Sequence, residues 1–305
     1  MRRFWFVTAA VLGILAARAP KVQADPVTPG NILVTHGDSI YEYQLDSTQV
    51  QQLTAPVQPG CSEALLEDVC VDNNGIVHVV NGGYPLEPRY VSSYDPATDS
   101  WQHNRRPGWT RSGCSLDAYG GYLYAENLPG IRYDLADFSY MDIPGGVATT
   151  VGLDGKYYTL DASYDIHVYD RSTFDELAFI ESGTDLRAIA ANEAGEVFAA
   201  SWSGYIYHYS PSGETLNTFN LRPNLQDIDL APDGTLIVSA AFGNEVFILD
   251  ESLSNEHLSS IFLTDAASPA AFVGFAAPVP EPSTCLLLSV AGCGLLGYTR
   301  RRRKR

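Results

Sequence analysis

A turn ending in glycine and followed at once by an apolar strand recurs six times along this chain, and no other feature limits its fold so strongly. The turns are marked by Gly30, Gly75, Gly121, Gly155, Gly195 and Gly234, which lie about 41 residues apart on average. Asp154-Gly155, Asp233-Gly234 and Asn73-Asn74-Gly75 supply the positive φ that tight hairpins need. Behind each marker, a second strand ends on a bulky residue, giving the column Tyr43, Tyr94, Tyr133, Tyr169, Tyr209 and Leu249. Such a column reads as core packing between repeats. Asp95, Asp134, Asp170 and Asp250 follow it directly and open the next hairpin as turn residues.

A further strand is expected ahead of each marker, and a polar strand after each bulky column position. Glu67–Asp72, Gly113–Ala118, Gly146–Val151, Leu186–Ala191 and Gln226–Ala231 supply five of the leading strands. Four strands in a repeat of this length make one blade of a propeller, so the expected fold is an all-β, six-bladed β-propeller. Seven blades are the main alternative, ahead of a pair of β-sandwiches. The Gly30 repeat has no strand ahead of it. Ala270-Ala271-Phe272-Val273-Gly274-Phe275 fills the gap, so that one strand from each end closes the ring and removes its open edge. The stretch Tyr94–Trp101 is kelch-like, but no double-glycine pattern recurs; the other blades resemble NHL and gluconolactonase-type propellers.

Charge is divided sharply between the body and the ends. The 305 residues carry a net charge of −17, yet ten of the nineteen basic residues lie before residue 25 or after residue 299. Residues 25–277 hold nine basic against thirty-five acidic side chains, a net charge of −26, which disfavours nucleic acid and anionic lipid as partners. The apolar fraction of 45% excludes a disordered chain.

The first 24 residues are laid out as a secretory signal peptide. Arg2 and Arg3 precede the apolar run Phe4–Ala17, and Val22-Gln23-Ala24 ends in small residues, predicting cleavage before Asp25. At the other end, Pro280-Glu281-Pro282 leads into the apolar segment Cys285–Thr299 and then six consecutive cations, Arg300–Arg305. Cations on one flank hold such a helix with that flank cytoplasmic. Motif, apolar segment and basic tail in this order resemble the PEP-CTERM sorting signal of exopolysaccharide-producing Gram-negative bacteria. The resemblance implies processing by an exosortase, a transient inner-membrane anchor, and a final place at the cell surface or in the extracellular matrix. The expected division is 1–24 signal peptide, 25–277 propeller and 278–305 sorting signal.

Catalytic motifs are scarce. There is no phosphate-cradling glycine loop, no His-Glu-x-x-His, no nucleophile elbow and no EF-hand loop. No catalytic residue, metal ligand or cofactor is assigned, and an enzymatic role is left open but disfavoured. Cys61, Cys70 and Cys114 have no zinc spacing; a Cys61–Cys114 disulfide and three separate thiols are equally compatible. His167 and His208 are one place out of register on successive blades, so they face opposite ways, and all six histidines read as ordinary polar or surface residues. Gluconolactonase-type propellers hold a divalent metal in the central tunnel with Glu, Asn and Asp. Here the inner strands offer Glu67, Asp68, Asp227 and Asp229 without a matching Asn, and that site is not carried over.

One pattern points to binding. Loops entering the inner strands share a face with loops joining the next two strands. Arg105, Arg106, Arg111, Arg187 and Arg222 lie in or beside the entering loops; Trp109 accompanies them and Trp202 lies in a joining loop. Guanidinium groups and indole rings suit acidic sugars and other anions. The competing reading pairs these arginines with Glu63, Glu67, Asp185 and Asp227. The function expected is a surface or matrix binding module, for acidic exopolysaccharide or surface proteins; the alternative is a lactonase- or lyase-like enzyme with a metal in the central tunnel.

Overall fold

The computed structural model describes residues 25–58, 61–62, 64–82, 90–105, 116–126, 129–241, 245–253, 259–262 and 271–275. Twenty-four strands among them form six four-stranded antiparallel sheets, the blades of a six-bladed propeller. The inner strands are Leu65–Val71, Leu116–Tyr119, Ala148–Val151, Leu186–Ala191, Leu225–Leu230 and Ala271–Phe275, and each neighbours the next around a closed ring. The ring is closed as the repeat phase requires. Ala271–Phe275 pairs antiparallel with Ile32–His36, with Phe275 opposite Ile32 and Ala271 opposite His36, so the last strand is the innermost strand of blade 1.

The turns are built by the residues that mark them. All six marker glycines adopt positive φ, between 77° and 86°. At the hairpin leading to the outer strand, Asp95, Asp134, Asp170 and Asp250 each accept a hydrogen bond from the backbone N–H two residues on, at 2.8–3.0 Å. The same hairpin contains one left-handed residue in every blade: Ser47, Asp99, Phe138, Phe174, Gly213 and Leu253. Glycine fits that conformation best, so a Phe or Leu there signals a side chain needed for packing.

Apolar packing lies between the blades. Leu33, Ile40, Val69 and Val77 join blades 1 and 2, while Phe198, Ile206, Leu236 and Val238 join blades 5 and 6. Tyr43, Tyr94, Tyr133, Tyr209 and Leu249 of the expected column are buried, and Tyr169 is half-buried. Cys70 is a buried free thiol; Cys114 lies outside the described residues. His36 and His78 are buried polar residues. No helix among the described residues is long and apolar enough to cross a membrane; residues 1–24 and 276–305 lie outside them.

Candidate functional site

The rim of blade 5 brings together part of the expected basic site. The inner strand of that blade starts at Leu186, which fixes Arg187 beside the loop that enters it. Trp202 is pinned between two such loops: its N–H donates to the Asp185 carbonyl at 3.0 Å, and its carbonyl accepts from Asn224 N–H at 2.8 Å. Ser203 Oγ donates to Asp185 Oδ1 at 2.9 Å. Gly204, at φ +102°, lets its loop approach the next entering loop so closely that a Cβ there would meet the Arg222 carbonyl at 2.4 Å. On this scaffold the exposed Arg187 guanidinium lies 4.9 Å over the Trp202 ring.

Arg222 is placed differently. Its Nη1 donates to Glu245 at 2.5 Å, and the guanidinium lies 6.0 Å from the Phe247 ring. It is thus neutralised, although by a carboxylate on its own blade's third strand rather than by Asp227. Arg105 ends an outer strand, with its side chain outside the description; Arg106, Trp109 and Arg111 lie outside the described residues. Arg132 and Arg171 lie over rings too, at 4.4 Å from Tyr122 and 4.0 Å from Tyr119. Lys156 pairs with Asp154 at 2.6 Å.

The central channel is acidic. A cavity of about 60 Å³ is lined by Asp68, Asp117, Asp227 and Asp229, together with Val69, Ile189, Val273 and Phe275. An inner strand is a sheet edge, and its channel-side N–H groups need acceptors. The aspartates supply them. Asp227 Oδ1 accepts from Ile228 N–H at 2.9 Å and Oδ2 from Val273 N–H at 2.9 Å. Asp229 repeats this with Leu230 at 2.7 Å and Phe275 at 2.8 Å. Asp68 bridges Val69 and Leu116, and Asp117 accepts from Val151 N–H at 2.7 Å and Thr150 Oγ at 3.1 Å.

Each carboxylate therefore ties one blade to the inner strand of the next. Burial raises Asp117 to about 6, Asp227 to about 7 and Asp229 to about 8, with the charge of Asp117 adding to the last. Asp68 is raised well above its usual range, first by burial and then by Asp227. Among the described residues no group of three or more His, Cys, Asp or Glu side chains is arranged to hold a metal ion. Asp117 escaped the sequence reading because its role depends on which strand lies beside it.

Residues 278–304 match the PEP-CTERM protein-sorting motif. The chain is an exosortase-sorted, exported protein with a propeller body, transiently anchored in the membrane. No curated protein matches it. The fold is similar to that of a chain in the crystal structure of the mitotic checkpoint complex, with a TM-score of 0.56 and 14% identity, over 89% of this chain and 93% of that one. That likeness shows the propeller fold and nothing about ligands; the NHL or gluconolactonase subtype does not follow from it.

Proposed function

We propose that residues 25–277 form a surface or matrix module that binds acidic exopolysaccharide at the blade 5 rim. The observation carrying this reading is the exposed Arg187 guanidinium stacked over Trp202 on a rigid double-loop scaffold. A planar cation beside an indole ring offers bidentate contacts to a uronate carboxylate and a platform for the sugar's C–H face. Arg105, Trp109 and Arg111 precede the inner strand of blade 3 and are proposed, from their place in sequence, to add a second basic patch on the same face. Residues 1–24 are proposed as the signal peptide that brings the body across the inner membrane.

A metal-dependent lactonase or lyase in the channel is less well supported, because the channel aspartates accept hydrogen bonds from backbone amides of the adjacent inner strands. The test is a glycan array on residues 25–277 at low and high salt. Acidic glycans are expected to bind despite the body's charge, and to weaken as the Debye length falls from about 10 Å at 0.1 M to about 3 Å at 1 M. Arg187→Ala combined with Trp202→Ala should reduce binding at least tenfold while the melting temperature stays nearly constant. Absence of acidic-glycan binding at every salt concentration overturns the reading.

A further inference from the structure

The sequence holds two methionines, Met1 and Met141, so residues 25–277 contain one. Met141 stands in the outer strand of blade 3, Tyr140–Ile143, and is 44% exposed. Strand register sets it directly opposite Arg132, whose Nη2 donates to Met141 Sδ at 3.1 Å.

This pair is mismatched. A guanidinium is a fork of charged donors, whereas a thioether sulfur is a weak acceptor. No carboxylate among the described residues forms an ion pair with Arg132. Its other neighbours are rings: the guanidinium lies 4.4 Å from the centroid of Tyr122 in its own blade and 5.4 Å from that of Phe174 in blade 4. Arg132 therefore spans the seam between blades 3 and 4, and its hydrogen bond to the outer strand is a weak one.

Oxidation of the sulfur would repair the mismatch. A sulfur lone pair attacks one oxygen of a hydroperoxide and the O–O bond breaks. The departing oxygen takes the proton of the transferred hydroxyl, leaving a sulfoxide and water or an alcohol. Sulfur loses two electrons and the peroxide gains them. The hydrogen bond from Arg132 occupies one lone pair of the thioether, and the exposed side chain offers the other to the reagent. The new oxygen is a polar acceptor within reach of a cation, which makes the hydrogen bond charge-assisted. The buried thiol of Cys70 is a poor competitor for peroxide, because burial pushes its pKa up and withholds the thiolate.

We propose that Met141 is a site of reversible oxidation by hydroperoxides, with Arg132 as the positioning residue that holds the sulfoxide oxygen. Oxidation then tightens the seam between blades 3 and 4, where a sulfoxide set beside the rings alone would loosen it.

The secreted protein is treated with hydrogen peroxide under native conditions, digested and read by peptide mass spectrometry. Met141 should gain one oxygen at a rate within about tenfold of a free methionyl peptide, and methionine sulfoxide reductase should remove it. Thermal melts test the role of Arg132. The oxidised protein should melt at least as high as the reduced one. In Arg132→Leu, which keeps an apolar cover over both rings, oxidation should lower the melting temperature. Met141→Gln puts a neutral carbonyl oxygen near the place of the sulfoxide oxygen, and should raise the melting temperature when Arg132 is present but not in Arg132→Leu. The proposal is overturned if peroxide leaves Met141 unmodified while the free peptide reacts, or if oxidation shifts the melt equally with and without Arg132.

Discussion

Asp229 shows how much one side chain contributes when an edge strand has no sheet beyond it. Its carboxylate joins Leu230 N–H of its own strand to Phe275 N–H of the closing strand, and Asp227 does the same one step earlier. Both are raised by burial to about 8 and about 7, far above the 3.9 of a free aspartate. A folded pKa above the unfolded value gives stability that is fully present below about pH 4 and lost as pH rises through the folded pKa. The melting temperature of the body is therefore expected to fall between pH 5 and pH 9, by about 2–4 °C for each kcal/mol lost. Asp229→Asn removes the buried charge but keeps one of the two oxygen acceptors and sets its NH2 against a backbone N–H, so the variant should melt lower at pH 5 and show a flatter profile up to pH 8.5. Thermal melts across pH decide this; an unchanged slope shows that Asp229 titrates elsewhere. The nearby arginines follow a related economy, since Arg132, Arg171, Arg187 and Arg222 each lie over an aromatic ring.

The blades were legible in the chain because their determinants are local. A glycine with positive φ, a turn aspartate and a buried tyrosine recur at fixed offsets, and each acts within one hairpin. The closing strand was legible as the missing member of an otherwise regular set. What lies between blades was not. The contact of His78 in blade 2 with Phe138 in blade 3, with ring centroids 6.4 Å apart, joins residues sixty positions apart in sequence. The same holds for Arg222, whose partner Glu245 is twenty-three residues away on the third strand of blade 6. Closure itself is testable. Truncation after Asp265 removes Ala271–Phe275, exposing the edge of Ile32–His36 and apolar residues such as Val69 and Ile237. At about 25 cal/mol per Å² the loss amounts to several kcal/mol, seen as a large drop in melting temperature. Truncation after Pro278 should leave the melt unchanged, and equal melts for the two would refute the clasp.

For the molecule as a whole, the sorting motif defines its history and the propeller its final form. Mass spectrometry of the secreted protein should find a chain beginning at Asp25 and lacking Arg300–Arg305. Glu281→Ala should still be exported but accumulate as membrane-held precursor; unchanged release would point to a protease indifferent to the motif. The clasp also sets a direction. The closing strand runs from Ala271, beside His36, to Phe275, beside Ile32, and so leaves the ring at the marker-hairpin face. Arg187 and Trp202 occupy the other face. Phe275 and Cys285 are ten residues apart, which even fully stretched spans no more than about 35 Å. The end of the closing strand therefore lies on the face away from Arg187 and Trp202. An anchor attached through so short a connection is expected to hold that face nearer the membrane than the face that carries Arg187.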